Sequence, residues 1–142
     1  MPDNAKARPY TLAAQKLSNA GLRSTRQRLA LAKLLFEGEF RHVTAEIIYE
    51  EVVQSGINVS LATVYNSLHH FTDVGLLREV MVDSGRTYFD TNMSDHHHYF
   101  MEDEGCLIDI PDGVVNVGLL PAVPAGKKFS RIEVIVHVAE DI

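Results

Sequence analysis

The chain has 142 residues, room for one ordinary domain or two small ones, and its hydrophobic fraction of 46% is that of a folded protein rather than a disordered one. No window nears the ~18 apolar residues of a membrane span, no apolar run follows Met1-Pro2-Asp3-Asn4-Ala5-Lys6 as in a secretory signal, and the single Cys106 excludes an internal disulfide; a cytoplasmic protein without membrane contact is expected. The net charge of −6 is unevenly divided, with eight Lys and Arg against three acidic residues in residues 1–42 and five against sixteen in the remainder.

Residues 1–8 are polar and read as an arm. Thr11 is placed to cap a short helix running to about Asn19 and stopped by Gly21. Ser24 or Thr25 caps the next, with Leu29, Leu31, Ala32, Leu35 and Phe36 as its apolar face. Thr44 caps Ala45–Gln54, where Ile47, Ile48 and Val52 recur at helical spacing and Gly56 follows the end. After Ile57-Asn58-Val59, Ser60 caps a fourth helix. Its Leu61, Val64, Leu68 and Phe71 form one stripe expected to face inward. The opposite face presents Thr63, Asn66, Ser67 and His70, with Tyr65 on the flank. A helix, a short link and a helix with a polar outer face predict a helix-turn-helix whose second helix enters a DNA major groove. Phosphate contact needs only a local basic face, so the charge division permits this despite the overall sign.

Residues 77–82 and Arg86–Asp90 have strand character and meet at Asp83-Ser84-Gly85, which predicts the wing of a winged helix, with Arg86 in reach of a phosphate. Residues 91–95 read as a hinge between a DNA-binding domain at 1–90 and a second domain at 96–142. There, 106–110 and 132–138 have strand character, and Pro111, Gly113, Pro121, Pro124 and Gly126 break up the stretch between them. The expected class is α+β, a winged helix-turn-helix domain followed by a small α/β domain. So short a second domain holds little core, which predicts that it dimerises.

Asp95-His96-His97-His98 concentrates metal-capable groups. In an extended segment His96 and His98 project to one side and His97 to the other. The pair makes a two-ligand clip, and a plain exposed hinge is the competing reading. His69, His70 and His137 are expected to do packing or surface work.

Several ordered words carry a family resemblance. They are Gly21-Leu22-Arg23-x-Thr25-x-Gln27-Arg28, His42-Val43-Thr44-Ala45-Glu46, Ser60-Leu61-Ala62-Thr63-Val64-Tyr65, Gly75-Leu76-Leu77 and His96-His97-His98. Over residues 15–138 the chain resembles the ferric uptake regulator superfamily. The continuations Phe71-Thr72-Asp73-x-Gly75-Leu76-Leu77-Arg78 and Thr87-Tyr88-Phe89-Asp90-Thr91-Asn92 look like its iron response regulator branch, known from alpha-proteobacteria. That branch implies a homodimeric transcriptional regulator of iron homeostasis, active when iron is scarce and silenced when haem is plentiful. It would bind double-stranded DNA at a pseudo-palindromic operator.

The resemblance implies a regulatory divalent ion (Fe, Mn or Zn) on His42, Asp90, His96, His98 and Asp109. Haem is a second implied cofactor, with His96, His97 and His98 as its axial candidates. By analogy and by face, Ser60, Thr63, Tyr65 and Asn66 are expected at the major groove, with Lys16, Arg23 and Arg28 on phosphates. The chain also departs from the pattern. Met101 and Glu104 stand where many relatives carry Cys-x-x-Cys, so no structural zinc on four cysteines is expected. Ile132 replaces a histidine of a second regulatory site. Asn66 replaces an arginine common in the iron-sensing branch. Cys106 is followed by Leu107, so the Cys-Pro haem motif of some relatives is missing. A peroxide sensor of the same superfamily is the sibling reading, kept open by aspartate at 109. A small metalloenzyme is the alternative class, disfavoured because five ligands nearly fill a coordination sphere.

Overall fold

A computed structural model describes residues 11–83 and 85–142. The arm at 1–8, the capping side chain of Thr11 and Ser84 of the hairpin turn lie outside the described residues. The chain divides into two compact units with the boundary between Met93 and Ser94.

Unit 1 contains α1 (Thr11–Asn19), α2 (Arg26–Phe36), α3 (Ala45–Gln54) and α4 (Leu61–Asp73). Its sheet is antiparallel, with β1 (His42–Val43), β3 (Arg86–Asp90) and β2 (Arg78–Asp83) in that order. Three helices start at a hydroxyl cap. Thr25 Oγ1 accepts from Arg28 N–H at 3.2 Å, Thr44 Oγ1 from Ile47 N–H at 3.2 Å, and Ser60 Oγ from Thr63 N–H at 3.0 Å. Of the two candidates for α2, the cap is therefore Thr25. Both helices of the helix-turn-helix end on a glycine in the left-handed region, Gly56 at φ 87° and Gly75 at φ 83°. There the next amide reaches back to the helix, Ile57 N–H to Val52 O at 3.3 Å and Leu76 N–H to Phe71 O at 2.8 Å.

Leu31, Leu35, Ile48, Val52, Leu68 and Phe71 are all fully buried in one cluster with Phe89 of the sheet. Each such side chain contributes about 1.5–3 kcal/mol by leaving water. The inward stripe of α4 holds at Val64, Leu68 and Phe71, but Leu61 in the first turn is 39% exposed. Ile47, placed by spacing on the inner face of α3, is likewise exposed. The first strand of the wing begins at Arg78, while Leu77 is buried at the junction with α4.

Unit 2 is a three-stranded sheet in the order β5 (Cys106–Asp109), β4 (His98–Met101), β6 (Ile135–Val138). β4 is antiparallel to β5 and parallel to β6. Residues 94–142 contain no helix, and 110–134 run without helix or strand; Pro111, Pro121 and Pro124 each lack an amide donor there. β6 is shorter than its apolar run because pairing begins only where His98 meets Ile135. Phe100, Leu107 and Ile110 are the buried apolar residues of this unit, and His98 is buried with them.

Candidate metal centre

Two side-chain groups are built, one in each unit. In unit 1 the β1–β3 register places His42 opposite Asp90, so both side chains leave the same face. His42 Nε2 lies 3.2 Å from Asp90 Oδ2. Asp90 is fully buried, and its Oδ1 accepts from Asn92 N–H at 2.9 Å. The start of β1 is fixed by Arg41. Its amide donates to Thr91 Oγ1 at 2.8 Å, and Thr91 N–H donates to Arg41 O at 3.0 Å. The Arg41 guanidinium forks onto Glu51 at 2.9 and 2.6 Å and reaches Leu34 O at 3.0 Å. The Glu51 hydrogen bond raises the pKa of Arg41 further, so the guanidinium stays charged.

In unit 2, β4 and β5 put His98 opposite Asp109. Asp109 Oδ1 is 3.1 Å from His96 Nε2 and 3.4 Å from His98 Nε2, and the two imidazole centroids are 4.5 Å apart. His96 Nδ1 lies 2.6 Å from Ser94 O. A carbonyl only accepts, so Nδ1 carries a proton there and Nε2 is left facing the carboxylate. A cation between Nε2 and the carboxylate oxygen would be held by both. Two donors at about 2.1 Å from one ion stand roughly 3.0 Å apart at a right angle and roughly 3.4 Å apart at the tetrahedral angle. The spacings of 3.2, 3.1 and 3.4 Å fit that range. Mixed imidazole and carboxylate donors suit Fe(II), Mn(II) or Zn(II) better than soft ions. The Ser94 carbonyl and the Asn92 amide were invisible in the sequence, since any residue could supply either.

His97 points away from this group, as its alternation predicts. Its Nδ1 accepts from Val134 N–H at 3.0 Å, which places the ring proton on Nε2 and leaves no lone pair for a metal in this conformation. The side chain of His96 is 4% exposed and that of His98 0%. The His96 and His98 side chains are thus enclosed, while His97 is half-buried. Asp95, His96 and His97 line a cleft of about 370 Å³ with Asp112 and Arg131.

On α4, Ser60, Thr63, Tyr65 and Asn66 are all exposed. Ser60 is occupied by the cap and also donates to Thr63 Oγ1 at 2.9 Å. Tyr65 stands edge-on to Phe89 at 6.3 Å, which holds its ring upright. Arg23 is exposed. Arg28 Nη1 donates to Arg23 O at 2.9 Å and Nη2 lies 3.5 Å from His70 Nδ1, so Arg28 ties α2 to α4. Lys16 Nζ rests 5.1 Å from the Phe36 ring. Arg86 is engaged by Asp83 at 3.0 and 2.7 Å rather than held out toward a phosphate.

Comparison with known proteins adds independent findings. The profile of the Ferric uptake regulator family matches residues 19–117. The Ferric uptake regulation protein of Vibrio cholerae is 33% identical over 102 residues, 71% of this chain and 68% of that protein. The Peroxide-responsive repressor PerR of Staphylococcus aureus is 36% identical over 93 residues, 66% of this chain and 62% of that protein. The solved structure of the Ferric uptake regulator from Pseudomonas aeruginosa with manganese aligns with a TM-score of 0.69 at 26% identity, covering 93% of this chain and all of that one (100%).

Proposed function

This chain belongs to the ferric uptake regulator family and is a metal-responsive, DNA-binding transcriptional regulator rather than an enzyme; we propose that His42, Asp90, His96, His98 and Asp109 are the ligands of its regulatory ion. The observation that carries the proposal is the convergence of imidazoles on carboxylates: His42 Nε2 lies 3.2 Å from Asp90 Oδ2, and His96 and His98 Nε2 lie 3.1 and 3.4 Å from Asp109 Oδ1, spacings that suit donors sharing one ion. The donor set selects a divalent ion of the Fe(II), Mn(II) and Zn(II) group, and iron homeostasis is the regulated process that the resemblance favours. The ion biases DNA binding by binding one conformation more tightly than another, since equal affinity for both would shift nothing.

Ser60, Thr63, Tyr65 and Asn66 read the major groove of double-stranded DNA, and Lys16, Arg23 and Arg28 serve the phosphates, Arg28 through its hold on α2 and α4. The domains fall at 1–90 and 96–142 with 91–95 between them. The second carries dimerisation, and the protein works in the cytoplasm beside its operator. Among the described residues no helix is long and apolar enough to cross a membrane. Haem remains a ligand by resemblance alone. It requires His96–His98 to open first, so haem and the ion compete.

Calorimetric titration of the purified chain with Mn(II) and Zn(II) tests the centre. Asp109→Asn and Asp90→Asn should each lose most of the ion affinity, and unaltered affinity in both would remove the assignment. A second reading, peroxide sensing, draws on the three-histidine, two-aspartate set and on the similarity to the staphylococcal repressor. It expects rapid histidine oxidation by peroxide in the Fe(II) form and none in the Mn(II) form.

A further inference from the structure

We propose that Glu133 is a positioning residue for the metal centre: its carboxylate accepts the Nδ1 proton of His98 and so commits Nε2 of that ring to the ion. The proposal rests on the metal-centre reading and gives a role to a residue outside the five ligands. Its basis is the parallel pairing of β4 with β6. His98 stands opposite Ile135, and His98 N–H donates to Val134 O at 3.1 Å. That register brings Glu133, just ahead of β6, alongside the His98 ring.

The ring then lies between two carboxylates, one at each nitrogen. Nε2 is 3.4 Å from Asp109 Oδ1, and Nδ1 is 3.9 Å from Glu133 Oε1. His98 has no exposed surface, and the Glu133 side chain is 21% exposed. Glu133 Oε1 is buried and accepts no hydrogen bond, a costly state for a carboxylate oxygen. Arg131 Nη2 stands 3.6 Å from Glu133 Oε2, on the other oxygen of the group. The separation of 3.9 Å is about 1 Å too long for a hydrogen bond. A small change in the side-chain torsions of Glu133 closes it. Glu133 is on the opposite edge of the ring from Asp109, which makes it a support for the ligand rather than a ligand itself.

The two proposed ligand histidines of unit 2, His96 and His98, are thus treated alike. Each has Nδ1 turned to an acceptor and Nε2 turned to Asp109, His96 through the Ser94 carbonyl and His98 through a carboxylate. A carboxylate behind a ligating imidazole fixes the tautomer and raises ligand basicity, and its loss typically costs 10–100-fold in metal affinity. Glutamine at 133 keeps an acceptor without the charge, while leucine removes both.

The test is Zn(II) affinity of the full chain together with nitrogen-15 histidine spectra of the Zn(II) form. The wild type should show Nδ1–H of His98 protected from exchange and Nε2 bound to zinc. Glu133→Leu should weaken zinc about 10–100-fold and expose that proton to exchange, and Glu133→Gln should recover most of the loss. If Glu133→Leu binds zinc like the wild type while His98→Ala does not, the positioning role is wrong and the metal centre stands. If His98→Ala also binds like the wild type, both are wrong. Should Glu133→Leu fail to fold, the wild-type spectrum decides alone: zinc on Nδ1 with the proton on Nε2 overturns the proposal.

Discussion

Single residues in this chain are held by short local contacts, and Asp83 shows how one of them answers to pH. Its carboxyl is kept below the usual carboxylate range, first by the Arg86 hydrogen bond and then by Gly85 N–H at 3.0 Å. A depressed pKa in the folded chain means stabilisation that is complete above the unfolded value of about 4 and lost as pH falls through the folded value. Asp83 is exposed, so the effect is local to the hairpin turn. Following the Asp83 carboxyl by NMR should give a lowered midpoint that returns toward the ordinary range in Arg86→Ala; the same midpoint in both proteins would mean that the guanidinium does not matter. Arg41 is a different case, being half-buried and bidentate on Glu51. Arg41→Ala should cost about 1–2 kcal/mol, measured by urea unfolding, because it leaves the Glu51 carboxylate of α3 unmatched. A loss below a few tenths of that size would mean that water replaces the clamp fully.

At the scale of elements, α4 separates stability from recognition. Ser60→Ala removes a cap and should destabilise by about 1 kcal/mol, whereas Asn66→Ala, on the exposed face, should leave unfolding unchanged and alter which bases are preferred. An Asn66→Ala protein with unchanged preference in a selection from random duplexes would take the recognition role away from this helix. Arg23→Ala should weaken every sequence alike and reduce the salt slope of binding by about 1. The four helices were legible because each joins a capping residue to a glycine stop, a helical apolar period, or both. β1 and β4 were not. Two residues, His42-Val43, carry no alternation to read, and His98-Tyr99-Phe100-Met101 lacks the β-branched run that marks 132–138. His96 and His98 were legible from their spacing, and His42, Asp90 and Asp109 came from the family resemblance. What surrounds them did not, because the Ser94 carbonyl is backbone, and Glu133 meets His98 only through a pairing of strands distant in sequence.

For the molecule as a whole, the two units differ in how far each buries its own apolar surface. Unit 1 closes a cluster of helices and sheet around Leu31, Leu68, Phe71 and Phe89. Unit 2 buries Phe100, Leu107 and Ile110 and leaves much of its apolar complement outside, with Leu119 at 105% and Phe129 at 50% exposure and Val114, Leu120 and Ile132 also exposed. Small folds with so thin a core are often completed by association, and exposed apolar side chains in such number fit the second copy proposed above. Folding of this unit should therefore be linked to assembly, so that the melting temperature rises with protein concentration. Sedimentation should give a dimer in the micromolar range, and Leu120→Glu with Phe129→Glu should give monomers that melt earlier, at a temperature independent of concentration. Because a dimeric reader gains affinity from two linked half-sites, the same double variant should keep weak binding to a single half-site and lose the advantage of a palindrome. A wild-type chain that sediments as a monomer, with a melting temperature flat across a hundredfold dilution, would require the exposed apolar stretch to have another partner.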